Sequence, residues 1–193
     1  MAELPQRRTI RWRGYDYANV GAYYLTICTQ DRLHLFGRIV DGVMHPSPIG
    51  EWAQRCWNGI PQHMPHVDVG EFVVMPNHVH GIVVIRERLV VPVGGDHDRP
   101  ERPPAPPTPP TNSTGRTMPV VPVGSLGRIV RAYKSAVTRL AYRDGLLPQG
   151  TPVWQRNYWD RVIRDDGEHE RIARYIRDNP MNWERDRFRA THR

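Results

Sequence analysis

The chain has 193 residues, and 27 basic side chains against 20 acidic ones give a formal net charge of +7. That length suits one domain with its own core, and the basic balance favours an anionic partner such as nucleic acid. Two cysteines, Cys28 and Cys56, are too few for a disulfide framework or a cysteine-built zinc site, and no apolar run is long enough for a membrane span.

In chain order, Arg7-Arg8-Thr9-Ile10-Arg11-Trp12-Arg13 is a basic arm with one aromatic. The first six residues do not open a secretory signal, so the expected location is the cytoplasm. Residues 22–29 are aromatic and β-branched and read as a strand. Residues 36–44 contain Asp41-Gly42, a turn signal that predicts a small hairpin. Ser47-Pro48 supplies an N-cap and a proline at the first helical position, opening a helix through Trp52, Ala53, Cys56 and Trp57 to about Ile60. Residues 67–75 read as a second main strand, and Pro76-Asn77 as the turn into a third.

That third strand begins His78-Val79-His80 and continues Gly81-Ile82-Val83-Val84-Ile85. Successive strand side chains point to opposite faces, so His78 and His80 share one. Two imidazoles on a rigid face chelate a divalent metal if a third ligand arrives from elsewhere. Read alone, the pair is equally consistent with hydrogen-bonded, half-buried strand histidines.

Residues 91–123 break the pattern, with prolines clustered from Pro100 to Pro110, and predict an extended or disordered insertion. Near-copies flank it, Val90-Val91-Pro92-Val93-Gly94 and Val120-Val121-Pro122-Val123-Gly124, which would bring its ends together. A passive tether explains the insertion better than a binding motif. Ser125 then caps a helix to about Asp144. Ile129, Tyr133, Ala136, Val137 and Leu140 fall on one side of it, and Arg128, Arg131, Lys134, Arg139 and Arg143 on the other. Such a basic face is ordinarily solvated, but it also suits a phosphate backbone. Lys134 is the sole lysine and every other basic residue is arginine, whose planar fork suits phosphates and base edges. Arginine richness equally fits a GC-rich genome.

Residues 153–163 read as the last main strand, and a final helix runs from about Asp166 to Asp178, stopped by Asn179-Pro180. The order β-α-β-β-α-β with an extra helix predicts an α+β fold, a ferredoxin-like split βαβ with an antiparallel sheet and helices on one face. The whole of 1–193 is expected to be one domain. On the final helix Tyr175 and Asn179 lie four apart on one side, with Glu168 further back. An Asn179 amide oxygen would complete a His-His-Asn set, with Tyr175 one turn away.

A neutral phenol, of pKa about 10, is a poor nucleophile, and taken alone Tyr175 is better explained as a core-edge tyrosine. Of the alternatives, Tyr133 sits at the centre of an apolar face, Tyr158 suits packing or base stacking, and Tyr142 has no evident partner.

Met75-Pro76-Asn77-His78-Val79-His80-Gly81, Val153-Trp154-Gln155-Arg156-Asn157-Tyr158-Trp159-Asp160 and Tyr175-Ile176-Arg177-Asp178-Asn179-Pro180 together resemble the REP-associated tyrosine transposases, of the single-tyrosine HUH group. Gly14-Tyr15-Asp16-Tyr17, Tyr24-Leu25-Thr26-Ile27-Cys28-Thr29 and residues 127–139 are similar to the family as well. The resemblance spans most of the chain except the proline-rich insertion. It implies a ferredoxin-like fold carrying the tyrosine on an added C-terminal helix, and metal-dependent cleavage of single-stranded DNA near hairpins. It implies His78, His80 and Asn179 as ligands for Mg²⁺ or Mn²⁺ and Tyr175 as nucleophile. The products would be a 5′-phosphotyrosine and a free 3′-OH, and attack by another 3′-OH would rejoin DNA. DNA contacts are expected from Arg128, Arg131, Lys134, Arg139, Trp154, Arg156 and Tyr158, with nucleoid association when DNA is bound. A homodimer that swaps the tyrosine helix and a monomer both occur among related transposases. Two other readings stand beside this one: a DNA hairpin-binding protein without chemistry, and a zinc hydrolase using His78 and His80.

Overall fold

The computed structural model describes residues 16–89 and 124–189; the basic arm, Gly14-Tyr15 and the proline-rich stretch 91–123 lie outside the described residues. In chain order the elements are β1 (Gly21–Cys28), β2 (Gly37–Val40), β3 (Val43–Pro46), α1 (Pro48–Asn58), α2 (Ile60–His63), β4 (Val67–Met75), β5 (His78–Ile85), α3 (Leu126–Arg143), β6 (Trp159–Ile163) and α4 (Asp166–Asp178). Short 3₁₀ turns occupy Gln30–Arg32 and Pro180–Arg185.

β4, β5, β1 and β6 lie in that order in one antiparallel sheet. The first strand therefore sits between the third and the last main strands, which is the expected split βαβ arrangement. β2 and β3 form the separate hairpin, turning through Asp41 at φ 51° and Gly42 at φ 75°. Two consecutive positive φ values match the twist of a tight hairpin, and the Asp-Gly pair accommodates them.

The helices divide between the two faces of the sheet, α1 and α3 on one and the added α4 on the other, whereas the sequence pattern predicts them on one. Tyr23, Leu25, Ile27, Val79, Val83 and Ile85 point towards α1 and α3, joining Trp57, Ile129, Tyr133 and Val137 in the main core. Gly81 is required there, because a Cβ would lie 2.3 Å from the Trp57 ring. On the other face Ile82, Ile163, Ala173 and Ile176 form a smaller cluster beneath α4, with Ala22, Tyr24 and Val84 at its margin. Strand alternation puts His78 and His80 on this second face.

Two boundaries differ from expectation for physical reasons. The first helix ends at Asn58, and Pro61, which has no N–H to continue the ladder, lies in the separate α2 turn. The last strand starts at Trp159 rather than Val153, leaving Trp154 with a single bridge to Thr29. The carbonyls of Gln155 and Asn157 are instead satisfied by Lys134 Nζ at 2.7 and 3.2 Å, so no ladder is needed there. Beyond Asn179, the chain coils through Pro180–Arg185 and returns over the sheet. At the base of the proline-rich stretch, Leu89 and Gly124 lie against each other.

Candidate metal and tyrosine site

His78 and His80 are both fully buried at the start of β5. Their Nε2 atoms lie 3.0 Å apart. The next carboxylate is not on a strand or on α4: Asp186, just past the Pro180–Arg185 turn, places Oδ2 3.4 Å from His78 Nε2. His78, His80 and Asp186 form a grouping that could hold a metal ion.

Hydrogen bonds behind the imidazoles determine which nitrogens face one another. Asn77 donates through Nδ2 to the carbonyls of Arg32, at 3.2 Å, and Phe188, at 2.7 Å. Its Oδ1 is thereby turned to His78 Nδ1, at 2.8 Å, and accepts a hydrogen bond from it. Around His80, Thr26 Oγ1 donates to the Tyr24 hydroxyl. Both oxygens lie within reach of His80 Nδ1, Thr26 at 2.9 Å and Tyr24 at 2.7 Å, and can accept a hydrogen bond from its N–H. With each Nδ1 protonated, two Nε2 lone pairs and a carboxylate oxygen converge in a buried space. Among the described residues Asp186 Oδ2 has no hydrogen-bond partner. Separations of 3.0 and 3.4 Å suit neighbouring ligands around one small cation, whose bonds are about 2.0–2.2 Å long. The donor set therefore fits a divalent metal.

Electrostatics point the same way. Burial, reinforced by His80 and by Arg32 and Arg187, holds His78 well below the usual imidazole range. Burial, with Arg187, lowers His80 to about 3. Both rings are thus neutral near pH 7, the form that binds metal. Burial raises Asp186, opposed by the Phe188 N–H and by Arg187 and Arg32.

Tyr175 lies on α4 with its ring centroid 5.4 Å from that of His80, and it is 45% exposed, open to a ligand from solvent. The Tyr24 ring packs edge-on against that of Tyr175, with centroids 6.3 Å apart. Burial, more than the neighbouring Tyr175, raises Tyr24 well above the usual phenol range, so Tyr24 stays protonated. Asn179 is buried at the C-terminal cap of α4, and its Oδ1 has no hydrogen-bond partner among the described residues.

The other expected residues sit elsewhere. Tyr133 is core, donating to the Ala53 carbonyl, and Tyr142 donates to the Thr151 carbonyl. Arg128, Arg131 and Arg139 are exposed on the outer side of α3, across the sheet from the histidines. Trp154 donates to the Lys134 carbonyl and packs on Phe36 and Tyr133. Lys134 reaches to 5.9 Å from the Tyr158 ring, and Arg156 is exposed nearby. Lys134, Thr138, Arg139, Arg143, Gln149 and Trp154 border a groove of about 620 Å³ on that layer. The set thus gathers around α3, apart from the His78–His80–Tyr175 cluster.

Sequence reasoning missed Asp186, Tyr24, Thr26 and the bracing role of Asn77. Asn77 was signalled by its place beside His78, and Tyr24 and Thr26 by their alternation in β1. Asp186 belongs to no periodic element and carried no signal.

No protein-family model matches the chain. An uncharacterized protein of Haemophilus influenzae (strain KW20 / Rd) is 37% identical over 187 residues, covering 97% of this chain and 95% of that protein. The solved structure of a REP-associated tyrosine transposase bound to a REP hairpin superposes with a TM-score of 0.53, over 90% of this chain and 74% of that one. At 15% identity, that superposition establishes a shared fold.

Proposed function

This chain belongs to the family of that Haemophilus influenzae protein, and from its transposase-like fold and its site we propose that it cleaves and rejoins single-stranded DNA near hairpin sequences. The observation that carries this reading is the approach of Tyr175 to His80, 5.4 Å between ring centroids, beside a buried His-His-Asp group. His78, His80 and Asp186 would hold a divalent cation, Mg²⁺ or Mn²⁺ for this chemistry. The unpartnered amide oxygen of Asn179 is the further ligand in the proposal. A cation bound there supplies Lewis-acid stabilisation of charge on a phosphodiester.

The chain's own residues supply the rest. Tyr175 Oη attacks phosphorus, its bond to phosphorus forms as the bond to the 3′-oxygen breaks, and the phenolic proton ends on the departing 3′-oxygen. The phosphotyrosine retains the energy of the original diester, so attack by another 3′-OH rejoins DNA without a nucleotide cofactor. Tyr24, held protonated, packs edge-on against the Tyr175 ring and orients it. Tyr175 reaches His80 within one chain, so a single protomer suffices for this arrangement.

Labelled single-stranded DNA bearing a hairpin, incubated with Mg²⁺ or Mn²⁺ and resolved on a denaturing gel, tests the reading. A covalent adduct abolished by Tyr175→Phe is expected. Asp186 also lends weight to the zinc hydrolase, since two histidines and a carboxylate form a catalytic zinc ligand set. Cleavage that survives Tyr175→Phe without an adduct would favour that alternative.

A further inference from the structure

The basic face of α3 lies on the layer away from the histidines, which raises the question of what holds a substrate phosphate on the tyrosine side. Two arginines 155 residues apart meet there. The buried Phe188 ring packs against both imidazoles, 5.0 Å from His78 and 5.9 Å from His80 between centroids. Over the same ring stand the guanidiniums of Arg32, at 5.3 Å, and Arg187, at 4.6 Å. Arg32 also donates to the Arg187 carbonyl at 3.1 Å.

Neither guanidinium has a carboxylate partner among the described residues, whereas Arg86, Arg88, Arg161 and Arg177 are all ion-paired. Asp186 acts on them only through space and pairs directly with neither: its Oδ1 takes the Phe188 N–H and its Oδ2 faces His78. One carboxylate at a distance leaves two guanidiniums with an excess of positive charge, and an anion bound by both offsets it. The backbone is set to hold them there. Asp31 and Arg32 adopt left-handed φ values of 51° and 55°, uncommon for residues with a Cβ. The buried Asn77 amide ties down both segments at once, through the carbonyls of Arg32 and Phe188.

We propose that Arg32 and Arg187 form a clamp for a backbone phosphodiester of the single-stranded segment beside Tyr175, one aromatic ring away from the candidate metal ligands. Arginine suits this role because its fork engages phosphate oxygens in pairs. The inference takes the identity of its anion from the proposed DNA reading and adds the residues that grip the strand.

The test uses the full chain in EDTA, so that no cleavage intervenes. It measures anisotropy of two labelled DNAs, a hairpin with a single-stranded flank and the same hairpin blunt-ended, across a salt series. For the flanked DNA, the double change Arg32→Gln with Arg187→Gln is expected to weaken binding at least tenfold at low salt. It should also reduce the steepness of log K against log salt by about 0.7, the contribution of one single-strand phosphate contact. Arg187→Gln alone should give roughly half that reduction, and lysine at both positions should restore most of the slope. Blunt hairpin binding should be unaffected. An unchanged slope with flanked DNA, an equal loss with blunt DNA, or no recovery with lysine would each overturn the clamp. If the wild-type protein forms no adduct with any DNA yet the slope falls as described, the clamp stands and the transesterase reading fails.

Discussion

Asn77 shows how much a single buried side chain can organise. Its amide closes a ring of contacts that runs from His78 Nδ1 through Asn77 to the Phe188 carbonyl, then from the Phe188 N–H to Asp186, and from Asp186 back to His78. Removing the amide would strand the Arg32 and Phe188 carbonyls and the His78 N–H, and each buried group left without a partner costs about 1–3 kcal/mol. Asn77→Ala is therefore expected to lower stability by at least about 3 kcal/mol in denaturant unfolding. It should also speed hydrogen exchange at the Phe188 amide selectively. Exchange at Phe188 that matches wild type would contradict the ring. Tyr24 and Thr26 brace His80 from β1 in the same manner, so both imidazoles are held from behind with their Nε2 atoms presented to each other.

At the scale of elements, α4 is the piece that converts a strand motif into a site. Its apolar side packs Ala173 and Ile176 on Ile82 and Ile163, which sets the height at which Tyr175 stands over His80. Its N-terminus is fixed twice. Asp165 accepts the Glu168 N–H as cap, and Glu168 reaches back to accept the Arg164 N–H while pairing with Arg161 of β6. The Arg164 N–H, with help from Arg161, holds the Glu168 carboxyl below its ordinary range. A carboxyl depressed in the folded state stabilises fully above its unfolded pKa, and that contribution is lost as pH falls through the lower folded value. Thermal stability should accordingly fall on acidification below about pH 4.5, the ordinary glutamate value. Glu168→Gln should flatten part of that dependence; a melting profile against pH identical to wild type would remove this role for Glu168.

At the scale of the whole molecule, a cation that binds the folded chain alone must stabilise it. A metal concentration one hundred times Kd adds about 2.7 kcal/mol, or about 5–11 °C in Tm for a chain of this size. Mn²⁺ is expected to raise the wild-type Tm in this way. Asp186→Asn, which keeps an acceptor for the Phe188 N–H, should shrink the rise at equal Mn²⁺. Comparison with Asn179→Ala shows whether that residue shares the load, and equal rises in wild type and Asp186→Asn would remove Asp186 from the ligand set. Much of this molecule could be read from the order of its residues. Alternation and helical spacing recovered the main strands, α3, α4 and the split βαβ order, because those patterns record which side of each element meets a core. They also put His78 and His80 on one face, and Tyr175 and Asn179 on one side of a helix. The 153–158 stretch misled, because its aromatic composition suits a strand while Lys134 takes the carbonyls a ladder would use. Which face α4 covers, and that Asp186, Arg32 and Arg187 gather there, was decided only by tertiary structure. These residues lie in turns and a returning segment with no period, and what brings them together is a set of long-range hydrogen bonds and packing on Phe188, which local sequence does not encode.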